Sequence, residues 1–125
     1  MEHTWNYGGH AYPFDISESE SMARMCSGLN TLREEIGTPA GGSASENLRG
    51  QCMIIRRFFD TVLGEGMGEA VCGTAFSADA HTTAYMEFIL FVSGEVSAFR
   101  EKVAAVEEKY MNRAANLSPA DAYGA

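Results

Sequence analysis

Three histidines, three cysteines and a run of glycines between glutamates are the residues of this chain that could do chemistry. His3 and His10 could meet on one face of a hairpin, and His81 opens the last helix. A zinc site built on them would need a further Cys or carboxylate at tetrahedral geometry, and no ligand spacing supplies it. Cys26, Cys52 and Cys72 cannot all pair within one chain and contain no CxxC. They sit among apolar residues, as reduced core cysteines of a cytosolic protein do. No Ser or Cys has a nucleophile-elbow context. The run Gly64-Glu65-Gly66-Met67-Gly68 has the glycines of a phosphate loop but no Lys-Ser/Thr and no preceding strand, and its two glutamates would repel phosphate. Glu34-Glu35 and Glu107-Glu108 are adjacent pairs, which do not face each other on a helix. The reading is therefore no enzyme, no catalytic residue, no metal and no cofactor.

The acidity of the chain suits a protein that mimics nucleic acid or keeps an aggregation-prone partner soluble, and simple colloidal solubility explains it equally well. A net charge of −8 weighs against nucleic acid, whose phosphates require clustered Lys and Arg. The adjacent pair Arg56-Arg57 reads as a solvated helix edge. With 46% apolar and 21% charged residues the chain is globular rather than disordered. Its N-terminus lacks the basic-then-apolar pattern of a signal peptide. The longest apolar burst, Phe88–Val92, is too short to span a bilayer, so no membrane is expected. A length of 125 residues suits one domain, placed over residues 1–116, with a flexible tail over 117–125.

These residues are positioned by a mainly α (α+β) arrangement: an N-terminal β-hairpin, three main helices, one short helical turn and a long C-terminal helix. The hairpin covers residues 3–14 and turns on Gly8-Gly9. A two-residue loop sets Tyr7 opposite His10, Trp5 opposite Tyr12 and His3 opposite Phe14. Strand alternation then puts all six rings on one face, which helices or a neighbouring subunit must cover. Ser17 and Glu20 form a capping box ahead of the stripe Met22, Met25, Cys26, Leu29, Leu32, Ile36. Gly28 lies within that helix, where replacement by alanine is expected to stabilise by up to about 1 kcal/mol. A flexible Gly/Pro/Ser connector follows from Thr38. Ser43 and Glu46 cap the second helix, with stripe Leu48, Cys52, Ile55, Phe59, Val62 widened by Met53, Ile54, Phe58 and Leu63. So broad an apolar face makes this helix central. Gly64 ends it as a left-handed C′ residue, and a turn between Gly66 and Gly73 buries Val71 and Cys72. Ser77 or Asp79 caps a last helix from about residue 80 to Ala115. Its first part, Tyr85–Val92, is apolar on nearly every side and belongs in the core. Tyr85, Val92, Phe99, Val106 and Ile89, Val96, Val103, Tyr110 repeat every seven residues, a coiled-coil seam that predicts a homo-oligomer.

The stretch from Phe58-Phe59-Asp60 to Gly64-Glu65-Gly66 resembles the FFD-x-x-(F/L)-G-E-G (FFDxxxGEG) signature of a small phage-encoded family found in prophages of Gram-positive bacteria. The pattern-level likeness extends from the aromatic hairpin with Trp5, Gly9 and Phe14-Asp15, through Gln51-Cys52, to the last helix. Members commonly carry Thr after the second glycine. Met67 stands there in this chain, leaving Gly66 to cap the short helix. Proteins similar to these are encoded among phage tail genes, near the tail tube and tape measure. The resemblance implies a virion-morphogenesis role as a tail assembly chaperone, holding a tape-measure helix or an immature tube subunit in the host cytoplasm. It assigns that role to Trp5, Tyr7, Tyr12 and Phe14 on the hairpin and to Phe99, Val103, Val106 and Tyr110 on the last helix. Gly64, Gly66 and Gly73 have structural roles. The alternatives are an acidic prophage-encoded inhibitor of a host defence protein, or a minor structural subunit associated with the virion.

Overall fold

Gly8 and Gly9 have φ of 59° and 80°, the positive values that a two-residue primed turn demands. They join β1 (Thr4–Tyr7) to β2 (His10–Pro13) in an antiparallel pair with the expected register, Trp5 opposite Tyr12 and Tyr7 opposite His10. The Phe14 N–H donates to the His3 carbonyl over 2.9 Å, extending the pairing by one step. Helices α1 (Ser19–Ile36), α2 (Ala44–Leu63), α3 (Met67–Cys72) and α4 (Ala78–Asn116) follow. The computed structural model describes residues 3–37 and 41–116, with side chains through 113. Part of the predicted connector (38–40) and the predicted tail (117–125) lie outside the described residues. The fold is mainly α with a small β part, as the sequence predicts. The chain divides into two compact units, Met1–Val92 and Ser93–Ala125.

In the first unit the hairpin rings close on the helices. Trp5 lies parallel to Phe59 at a centroid distance of 5.8 Å and edge-on to Phe88 at 5.0 Å. Phe14 and Phe58 also meet Phe88 edge-on. Offset and edge-to-face pairs of this kind add to the burial of each ring. Trp5, Tyr12 and Phe14 are buried, Tyr7 and His3 half-buried, and His10 exposed.

Several local expectations are corrected. Ser17 does not cap α1, because Asp15 takes both its N–H (2.9 Å) and its hydroxyl (2.6 Å) in a tight local turn. Glu18 is the N-cap and makes no side-chain capping bond. The buried face of α1 is Ser21, Met25, Gly28 and Leu32 rather than the most apolar stripe, and Cys26 and Ile36 are exposed. A Cβ on Gly28 would lie 2.8 Å from Val62 Cγ2 and 3.2 Å from Phe58 Cδ1. Gly28 is thus a close-approach residue, and the expected gain from alanine is reversed by overpacking.

The Ser43 cap holds, its hydroxyl accepting the Glu46 N–H at 3.2 Å. Leu48, expected in the α2 stripe, is exposed, as are Met86 and Leu90 in the stretch expected to be buried all round. Gly64 ends α2 with φ 128° and ψ 159°, a mirror-extended conformation essentially confined to glycine, rather than the left-handed one. The left-handed residue is Gly66, with φ 83°.

Met67 leaves α3 without a local side-chain cap, and Asp60 replaces it across the turn. Its carboxylate accepts the Gly68 N–H at 2.7 Å. The Phe-Phe-Asp…Gly-Glu-Gly stretch is therefore one device: two core rings, a carboxylate cap, and two glycines that let the chain reverse toward that cap. Ser77, not Asp79, caps α4 by accepting the Ala80 N–H at 3.1 Å.

Candidate functional site

The first unit contains an open apolar groove of about 760 Å³. The last turns of α1 contribute Leu32, Glu35 and Ile36. Most of the lining comes from α2, with Gln51, Cys52, Ile54, Ile55 and Arg57, and the first turns of α4 add His81, Thr82, Tyr85 and Met86. It exists because α2 and the start of α4 carry more apolar surface than their neighbours cover. Ile36 and Met86 are 64% and 57% exposed, high for residues of their size. Its charged groups are Arg57, which forms an ion pair with Glu35, and Glu46 near the N-terminus of α2; Asn47, Gln51, His81 and Thr82 add polar lining.

One end of the groove is fixed by Arg56, which is not the solvated residue its sequence context predicts. Its Nε–H donates to His81 Nε2 at 2.9 Å, and its Nη2 donates to the Gly73 and Thr74 carbonyls at 2.8 and 3.1 Å. The same guanidinium lies 4.3 Å from the centre of the Phe76 ring, a cation–π contact. One side chain of α2 thereby ties the loop after α3 to the first turns of α4. His81 is fully buried, and its Nδ1 lies 2.7 Å from the Ser77 carbonyl. That carbonyl needs a donor and Nε2 needs a lone pair, which defines the neutral tautomer.

Burial, together with the Arg56 charge, lowers the His81 pKa below the ordinary histidine value, against the opposing pull of the Ser77 carbonyl. Between the folded pKa and about 6.5 the unfolded chain binds a proton that the folded chain refuses, so stability is lost as pH falls through this window. The melting temperature is expected to drop between pH 7.5 and 5.5, and more steeply than in His81→Gln, with a slope difference of at most about 1.4 kcal/mol per pH unit. Because His3 and His10 are common to both proteins, the difference isolates His81. Parallel pH profiles would overturn the assignment.

Cys52 and Cys72 are buried and free, and desolvation pushes the Cys72 thiol up to about 11, so it stays a thiol. Among the described residues no three His, Cys, Asp or Glu side chains gather to hold a metal ion, and no helix is long and apolar enough to cross a membrane.

The eight residues assigned to a partner separate into two groups. Trp5, Tyr12 and Phe14 are in the interior of the first unit, covered by this chain's own helices, and Tyr7 is half-buried against Trp5. In the second unit Phe99, Val103, Val106 and Tyr110 are 43%, 39%, 46% and 69% exposed. The groove was missed as a site. Its only sequence signal was the excess apolar circumference of the second and last helices.

The chain is thus mainly α, with an aromatic-backed hairpin and an apolar groove in its first unit and an exposed helical seam on its second. The family of unknown function DUF6673 matches it over residues 8–118, and the chain belongs to that family. No curated protein and no solved structure matches it.

Proposed function

We propose that this protein acts by binding rather than catalysis, as a tail assembly chaperone-like protein of phage morphogenesis. Its groove would hold an amphipathic helix of a tape-measure or tail-tube subunit in the host cytoplasm until assembly. The observation that carries the reading is the groove itself: three helices of the first unit line an apolar slot that none of them fills. An apolar helix face laid into a groove is a recurrent recognition mode. Residues 1–92 hold twelve acidic and five basic side chains, which favours a client helix with basic flanks. The assignment to tail genes is supported by the resemblance of Phe58-Phe59-Asp60 and Gly64-Glu65-Gly66 to the phage signature.

The test is to read the neighbouring genes and to co-express this protein with any tape-measure and tube proteins that they encode. The wild type is expected to raise the soluble fraction of one of them and co-purify with it. Ile36→Asp combined with Met86→Asp should abolish both effects while leaving helicity intact, since both side chains are exposed. If neither protein co-purifies, or no tail genes adjoin this one, the reading fails.

A further inference from the structure

The second unit carries a different surface, and its charges say what covers it. Val96 and Val103 recur at heptad position a, and Phe99 and Val106 at d, with Tyr110 at the next a. The flanking g positions are Glu95, Lys102 and Lys109, and the e positions are Arg100 and Glu107. In a parallel pair each g residue meets the e residue five positions on in the other helix. That places Lys102 against Glu107, an attractive pair that is repeated by symmetry. In an antiparallel pair with Val103 against Val106, Arg100 meets Glu107 but Lys102 meets Lys109, so attraction and repulsion cancel. Residues 93–113 hold four acidic and four basic side chains, so the net charge of −8 lies outside them and two copies do not repel along the seam.

We propose that the outer half of α4 is a self-recognition element that pairs in parallel, in register, with the same segment of a second copy. This does not rest on the client reading above, because the groove residues belong to the first unit. With about three heptads the pairing is of modest strength.

Sedimentation equilibrium of the full chain at about 100 μM is expected to show a dimer. Val103→Glu should be monomeric with unchanged circular dichroism. Glu107→Lys, which turns both Lys102 pairs repulsive, should weaken the dimer by about tenfold, less so at high salt. In a Cys26→Ser background, Val103→Cys should form an intermolecular disulfide under oxidation, because only the parallel register brings residue 103 against itself. A monomeric wild type, a dimer indifferent to Val103→Glu, or a Val103→Cys variant that fails to cross-link would overturn the proposal.

Discussion

Trp5→Ala is expected to lower the stability of the first unit by about 3–5 kcal/mol, the usual cost of removing a large buried ring. Trp5 is only 4% exposed and touches four other rings: Tyr7, Tyr12, Phe59 and Phe88. Two of them belong to the hairpin and two to helices, so the indole is the main apolar link between β1 and the helical core. A two-stranded hairpin is at best marginal by itself. Without the indole, its strands are expected to detach rather than close over the cavity. Urea unfolding followed by circular dichroism would show the midpoint fall by about 2–3 M, given a slope near 1.5 kcal/mol/M. Trp5→Phe retains a ring on Phe59 and should recover most of the loss. In the wild type the indole emission should be blue-shifted. A water-like emission, or a midpoint unmoved by Trp5→Ala, would contradict the packing described.

What could be read from the sequence divides along the range of the interactions involved. The hairpin register was legible because Gly8-Gly9 fixes a two-residue turn, and strand alternation then places every ring. The ends of α2 and α3 were legible because Gly64, Gly66 and Gly73 have backbone angles that other residues avoid. Interactions between elements were not. Gly28 counts as neither apolar nor polar in a periodicity, yet it lies on the buried face because its missing Cβ lets Val62 and Phe58 come close. Arg56 bonds to carbonyls 17 and 18 residues on and to a ring 25 residues on, and nothing local distinguishes it from its neighbour Arg57. The groove was latent in the pattern: the second and last helices were too apolar for the neighbours available to them. Read as burial on all sides, that excess hid the surface. Read as surplus, it marks where a partner would fit.

The same dependence on close approach governs the second large effect, which concerns Gly68. A Cβ there would lie 2.7 Å from Arg56 Cα and 2.8 Å from its carbonyl carbon, and closer still to the carbonyl oxygen. These are backbone atoms of α2, and no rotamer change can move them aside. Gly68→Ala must therefore separate α3 from α2. That motion also lengthens the 2.7 Å bond from the Gly68 N–H to Asp60 and leaves the start of α3 without its cap. Overpacking against a fixed backbone and loss of the cap together are expected to cost about 3 kcal/mol, more than the roughly 1 kcal/mol that alanine gains over glycine in a helix. Gly50→Ala is the matched control, since Gly50 lies within α2 of the same unit and has nothing within 4 Å of its would-be Cβ. It should stabilise by up to about 1 kcal/mol. The two substitutions make the same chemical change with opposite expected signs, so chemical denaturation of the pair tests the α2–α3 contact directly. If Gly68→Ala proves as benign as Gly50→Ala, α3 does not pack on the Arg56 backbone, and the carbonyls of residues 73 and 74 are no longer placed where the Arg56 guanidinium can hold them.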